Sequence, residues 1–208
     1  MSEDLIADAC ARLGLPDAGE ISHKSLILKD FLRFHGRAAN LTSKLDDASL
    51  DQHIQEALLL VALARRLEVS GRWLDIGSGG GFPGLVLAIG LPDVELTLVE
   101  PRAKRATVLE LGLRKLGRPD CRVLRGRIDA GRWTPLERQV LDPPFEAASA
   151  RAVFDPPTWV REATPWLGPD GLVFLHLPAS AANPDGFIEQ ARIEHDKWAI
   201  VAGRSSPR

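Results

Sequence analysis

Cysteine is nearly absent: Cys10 and Cys121 are the only two, and neither stands at metal-ligand spacing from the other or from the five scattered histidines. That excludes a zinc-finger pattern and a disulfide framework, and it predicts a metal-free protein of a reducing cytoplasm. Long apolar runs are also missing, since none approaches the roughly 20 residues that a spanning helix needs, so no membrane partner is expected. The acidic start Met1-Ser2-Glu3-Asp4 lacks the basic and then apolar pattern of an export signal. There is no internal repeat and no low-complexity segment. Excess charge of one sign is missing too, and a net charge of −2 argues against a generic polyanion binder. What remains is a chain of 208 residues, enough for one compact core and a small N-terminal addition.

The charge that is present is segregated. Between Arg102 and Arg132 there are ten Lys/Arg against three acids, whereas residues 1–60 carry ten acids against six bases. Such a basic stretch either forms a solvated helix face or attracts phosphate backbones locally. Periodicity divides the chain near residue 70. Residues 1–70 read as a helical cap, with Ser22 opening a helix that carries Leu26, Ile27, Phe31 and Phe34, and Asp47 opening one that carries Leu50, Ile54, Leu58 and Val61. Residues 71–208 alternate strand-length apolar runs (Trp73–Ile76, Val94–Val99, Cys121–Leu124, Phe145–Ala150, Leu172–Leu177, Trp198–Val201) with helical segments at Pro83–Ile89, Ala103–Leu116 and Pro156–Trp166. This alternation predicts an α/β fold with a doubly wound, Rossmann-like sheet, mostly parallel, its last strand antiparallel at the edge. The stretch from Arg132 to Pro144 carries no clear pattern.

The strongest local signal is Trp73-Leu74-Asp75-Ile76-Gly77-Ser78-Gly79-Gly80-Gly81-Phe82-Pro83-Gly84, where a strand ends and a helix begins. Open α/β sheets bind ligands at this position, and glycines such as Gly77, Gly79 and Gly81 permit tight turns and close ligand approach. Gly79-x-Gly81-x-x-Gly84 also matches the dinucleotide fingerprint, with Glu100 placed 21 residues beyond Gly79. Glu100, ending the next strand, suits the two hydroxyls of a ribose and so supports a nucleoside without choosing one. Asp75 favours S-adenosyl-L-methionine over NAD: a carboxylate before the turn repels a diphosphate and attracts an ammonium and a sulfonium. A glycine-rich turn holding no ligand is the third reading.

Further strings fall in one order along the chain: Asn40-Leu41-Thr42-Ser43, His53-Ile54, the Asp75–Gly84 loop, Lys104-Arg105, Gly126-Arg127-Ile128-Asp129, and Pro143-Pro144-Phe145 leading into Ala150-Arg151-Ala152. Together, over about residues 25 to 180, they resemble the glucose-inhibited division protein B family, methyltransferases of guanine N7 in 16S ribosomal RNA. The resemblance implies a class I S-adenosylmethionine-dependent methyltransferase acting on 16S ribosomal RNA or the 30S subunit. It implies that Gly77 and Phe82 contact the cofactor, that Ile128 and Asp129 hold its adenine, and that Arg151 faces both cofactor and target base. Lys104 and Arg105 then lie on the RNA-facing rim, joined by His53 and by Arg127 of the basic stretch. The chain departs from the family where Arg-His is Gln52-His53, Asp-Ser is Glu56-Ala57 and Ser-Arg-Ala is Ala150-Arg151-Ala152.

Guanine N7 carries a lone pair and no proton, so its methylation needs positioning and water exclusion rather than a general base. The sequence agrees, offering no nucleophile–base pair. Arg151 suits a phosphate or a base edge, although a structural ion pair with an acid such as Asp155 is an equal reading. A competing motif is Asp142-Pro143-Pro144-Phe145, which resembles the string that grips the amine in amino-methyltransferases of adenine or cytosine. Here it precedes its strand and reads as an entry turn, so its place in the fold decides the matter. His35 and His53 lie on amphipathic helices, and the five tryptophans read as core.

Overall fold

The computed structural model describes residues 2–39, 41, 45–196 and 198–206. Three helices come first: α1 (Ser2–Arg12), α2 (Ala18–Ala39) and α3 (Asp47–Arg66). β1 (Gly71–Ile76), α4 (Gly84–Gly90), β2 (Val94–Val99), α5 (Ala103–Lys115) and β3 (Arg122–Leu124) follow in alternation. A hairpin of β4 (Gly126–Asp129) and β5 (Arg132–Pro135) precedes β6 (Phe145–Ala150) and α6 (Pro156–Ala163), which ends in a 3₁₀ turn at Thr164–Trp166. The chain closes with β7 (Leu167–Pro178), β8 (Phe187–His195) and β9 (Trp198–Ser205). No described helix is long and apolar enough to cross a membrane.

Seven strands form one sheet in the order β3-β2-β1-β6-β7-β9-β8. Pairing is parallel from β3 to β7, with Trp73 of β1 opposite both Leu96 of β2 and Ala147 of β6. β9 pairs antiparallel with β7 and β8. The sequence placed β9 at the edge, but β8 takes that place and leaves β9 inside. β8 escaped the sequence reading because an edge strand buries only part of one face: Phe187 is buried, while Glu189, Glu194 and His195 face water. The β4–β5 hairpin escaped because its alternation is only four residues long. Its turn, Ala130-Gly131, has positive φ at both residues, as a tight hairpin requires.

Side chains alternate between two cores. Trp73, Leu96, Leu98, Ala147, Phe174 and Ile200 pack toward α1–α5, whereas Leu74, Val99, Ala148, Val173 and Val201 pack toward α6 and the hairpin. The N-terminal caps differ slightly from expectation. Asp46, not Asp47, caps α3 by accepting from the Ser49 amide at 3.0 Å. Ser22 is a buried residue inside α2, four residues past its start, so it opens no helix. The strand order turns back on either side of β1, and at that switch point a crevice opens above the carboxyl ends of the strands.

Candidate nucleoside site

Parallel pairing continues one step beyond the strands and seats the glycine loop. The amides of Gly77 and Ser78 donate to the Val99 carbonyl at 2.8 and 3.1 Å, and the Glu100 amide donates to Leu124 O at 3.1 Å. Glu100, only 3% exposed, turns its carboxylate back onto the loop: Oε2 accepts from Gly79 N at 3.0 Å and Oε1 from Arg102 N at 2.8 Å. The same carboxylate therefore shapes the loop and faces the cavity. Gly77 (φ +71°) cannot carry a side chain, because a Cβ there would lie 2.4 Å from Val153 Cγ2.

These elements enclose a cavity of about 750 Å³, a size that suits a nucleoside ligand. Gly77, Gly79 and Phe82 form its floor, and Glu100 and Arg105 one side. Arg127, Ile128 and Asp129 of β4 form a second side; Arg151 and Val153 after β6, with His53 of α3, form the third. Ten of the predicted site residues thus meet in one crevice. Three do not line it. Gly81 packs instead on Leu85, where a Cβ would come within 2.6 Å. Lys104 is exposed on the first turn of α5, outside the cavity. Of the Asn40–Ser43 string, Asn40, Thr42 and Ser43 lie outside the described residues, while Leu41 borders the crevice.

Asp75 is the third, and it does not face the ligand as expected from the sequence. Its carboxylate is fully buried beneath the loop, so it does not meet a ligand directly. Oδ1 accepts from Ser149 Oγ at 2.7 Å, and Oδ2, without a full hydrogen bond, points at the Gly84 position where α4 begins. Burial pushes its pKa up to about 6, against the pull of Ser78, Ser149 and the Gly84 amide. The anion therefore occupies the α4 N-terminus from below, which still makes that end a poor diphosphate cradle.

A polar cluster missed as a unit by the sequence reading stands beside the crevice. Arg151 Nη2 donates to Glu56 Oε2 at 2.6 Å and to His53 Nδ1 at 2.8 Å. Gln52 donates to the other Glu56 oxygen at 2.9 Å. Burial opposes the Glu56 charge, but His53, Arg151 and Gln52 outweigh it and hold its pKa below the usual value. Behind them His176 buries an Nε2 that has no partner; burial and the Arg151 charge push its pKa down to about 4. The partner of Arg151 is thus Glu56 rather than Asp155, which caps α6 through the Thr158 amide. The helical spacing of Gln52, His53 and Glu56 carried this signal, but nothing local linked it to residue 151. Arg151 is followed by Ala152 at φ +56°, a left-handed backbone that favours glycine.

The competing Asp142 motif lies at the other end of the sheet. Arg72, at the start of β1, donates to the Asp142 carbonyl and to Pro144 O at 3.1 Å, so Asp142 opens β6 far from the loop that ends β1. Amine gripping by Asp142 is therefore ruled out by position. The tryptophans divide: Trp73, Trp159 and Trp166 are buried, but Trp198 is 45% exposed. No metal-holding group of His, Cys, Asp or Glu occurs among the described residues.

The sheet order, the carboxyl-end crevice and the acidic second strand end define a class I methyltransferase fold. The fold is shared with a ribosomal protein L11 methylase from Lactobacillus delbrueckii subsp. bulgaricus, with a TM-score of 0.57 at 15% identity over 76% of this chain and 80% of that one. The chain belongs to the GidB family, rRNA small subunit methyltransferase G, whose model matches residues 23–184. Ribosomal RNA small subunit methyltransferase G of Sorangium cellulosum (strain So ce56) is 37% identical over 65% of this chain and 55% of its own length. The chain thus spans little more than half of that relative. The protein of the same name from Pseudomonas paraeruginosa (strain DSM 24068 / PA7) is 30% identical over 99% of this chain and 92% of its own.

S-adenosyl-L-methionine is the cofactor implied by this family. The residues present fit it. A nearly buried carboxylate at Glu100 offers acceptors for hydroxyls, and Ile128 beside Asp129 offers an apolar surface next to an acceptor. At Gly77 the wall has no room for a side chain, which leaves backbone open to close approach.

Proposed function

We propose that this chain methylates N7 of a guanine in 16S ribosomal RNA, as free RNA or within the 30S subunit. The observation that carries the reading is Arg151, held by Glu56 at 2.6 Å and lining the same crevice as Glu100. Bound S-adenosylmethionine supplies an electrophilic methyl group on a sulfonium. Gly77, Gly79, Phe82 and Glu100 would hold the cofactor's amino-acid and ribose portions, and Ile128 and Asp129 its adenine. Asp75 would hold the loop's shape from beneath.

The acceptor atom has no proton to lose, so the chain's own residues need only bind, orient and exclude water. Arg151, ordered by Glu56 and His53, would grip a phosphate or the O6 edge of the base. Arg105, Arg127 and Lys104 would meet the RNA backbone at the rim. Residues 1–70 would act as a cap, since His53 and Leu41 complete the cavity wall from that side. Cap and core would then form the site as one structural unit.

Incubation with unmodified 30S particles, naked 16S RNA and labelled S-adenosylmethionine, followed by mapping of the modified base, tests the reading. The expected result is methyl incorporation at one guanine N7. Incorporation at another atom, or none despite cofactor binding, would overturn it.

A further inference from the structure

We infer that the groove between α2 and α5 is a docking surface for single-stranded RNA, which continues the substrate's path from the crevice along α5. The inference rests on the substrate reading above. The apolar stripe that marks α2 in the sequence is only partly the face it buries. Ile21, Leu28 and Leu32 enter the core, together with the aliphatic part of Lys29, whereas Ile27 is half-buried, Phe31 packs half-buried against the core's edge, and Phe34 is 81% exposed. Gly112 lets the two helices approach closely, because a Cβ there would stand 3.3 Å from the Phe31 ring. The rings form a ledge: His35 lies 4.6 Å from Phe31 and 4.8 Å from Phe34, centroid to centroid. The groove above it measures about 620 Å³ and is closed on the far side by Leu111, Arg114 and Lys115.

Charge decides the occupant. Arg114 and Lys115 are exposed, and neither has an ion-pair partner among the described residues. Asp30, the acid in the groove, is already paired with Arg33 at 2.7 Å. On the helical period Lys104, Thr107, Leu111, Arg114 and Lys115 share one exposed stripe of α5, with Glu110 to one side. That stripe runs about 15 Å from the crevice wall at Arg105 to the aromatic ledge. An exposed Phe34 ring beside the half-buried Phe31 and His35, facing unpaired cations, matches a nucleic-acid strand, whose bases stack on the rings while its phosphates meet the cations. An apolar protein face would instead cover Arg114 and Lys115 without supplying counter-charge.

The test compares Phe34→Ala and the double variant Arg114→Ala/Lys115→Ala with the wild type on naked 16S RNA and on unmodified 30S particles. Both variants should raise KM for RNA about tenfold, with kcat and cofactor Kd unchanged within about twofold. The double variant should also lower the slope of log affinity against log salt by about one to two. Phe34 lies largely in water, so an unchanged melting temperature confirms that its removal spares the core. Unchanged KM in the variants, while the wild type methylates guanine N7, would overturn the groove and leave the proposed function standing. A loss confined to 30S particles would overturn it in favour of a ribosomal protein on this face. A wild type that methylates no RNA defeats the substrate reading and the groove with it.

Discussion

Asp75 shows how one residue can underlie a cavity without lining it. Burial disfavours the anion and pushes its carboxyl pKa from the ordinary 3.8 up to about 6 in the folded protein. The folded state therefore holds the proton more tightly, and stability falls as pH rises from about 4 to about 6. Above that window the ionised group costs on the order of 3 kcal/mol. Urea unfolding across this range should show the fall in the wild type and a flatter dependence in Asp75→Asn; equal slopes would show that Asp75 is not the group responsible. Glu56 acts through a neighbour. Glu56→Gln should lower kcat/KM for RNA about tenfold by loosening Arg151, with cofactor affinity unchanged, whereas Glu56→Asp should keep most of the activity. Steady-state kinetics beside calorimetry separate the two effects, and a parallel loss of cofactor binding would contradict the assignment.

At the scale of elements, the loop between β1 and α4 is built by contacts that no neighbouring residue reveals. Gly77→Ala should destabilise the protein by about 1–3 kcal/mol, since it combines a positive φ with a clash on Val153. Adding Val153→Ala should recover the part due to the clash and leave the part due to φ. Thermal melts of the single and double variants measure the division, and full recovery would mean that backbone strain contributes nothing. The β4–β5 hairpin works in the same way. Gly126 stands where a Cβ would meet the Trp133 ring at 2.2 Å, and that close approach helps hold Ile128 and Asp129 at the crevice.

Across the whole molecule, the helical layer is tied internally by a buried charge pair. Lys29 of α2, 1% exposed, bonds Asp51 of α3. Lys29→Met strands a buried carboxylate and should cost about 3–5 kcal/mol; Lys29→Met/Asp51→Leu should regain most of it. Urea unfolding of the two variants checks the pair, and equal losses would refute the coupling. Nothing in the sequence singles out Asp51, because helix periodicity shows which residues share a face but not what lies across from them. Phe34 is the converse case: its apolar character placed it on the buried stripe, and packing left it in water.

The alternation of short apolar runs with helices determined the parallel sheet, and the glycine loop with Glu100 determined where the crevice would open. Those features are local, since side-chain period and backbone permissiveness act within a few residues. Tertiary structure alone decided that β9 lies inside the sheet, that Asp75 works from beneath the loop, and that Arg151 answers to Glu56. Each depends on groups distant along the chain being brought within a few ångströms, where burial and charge set energies that no local pattern encodes.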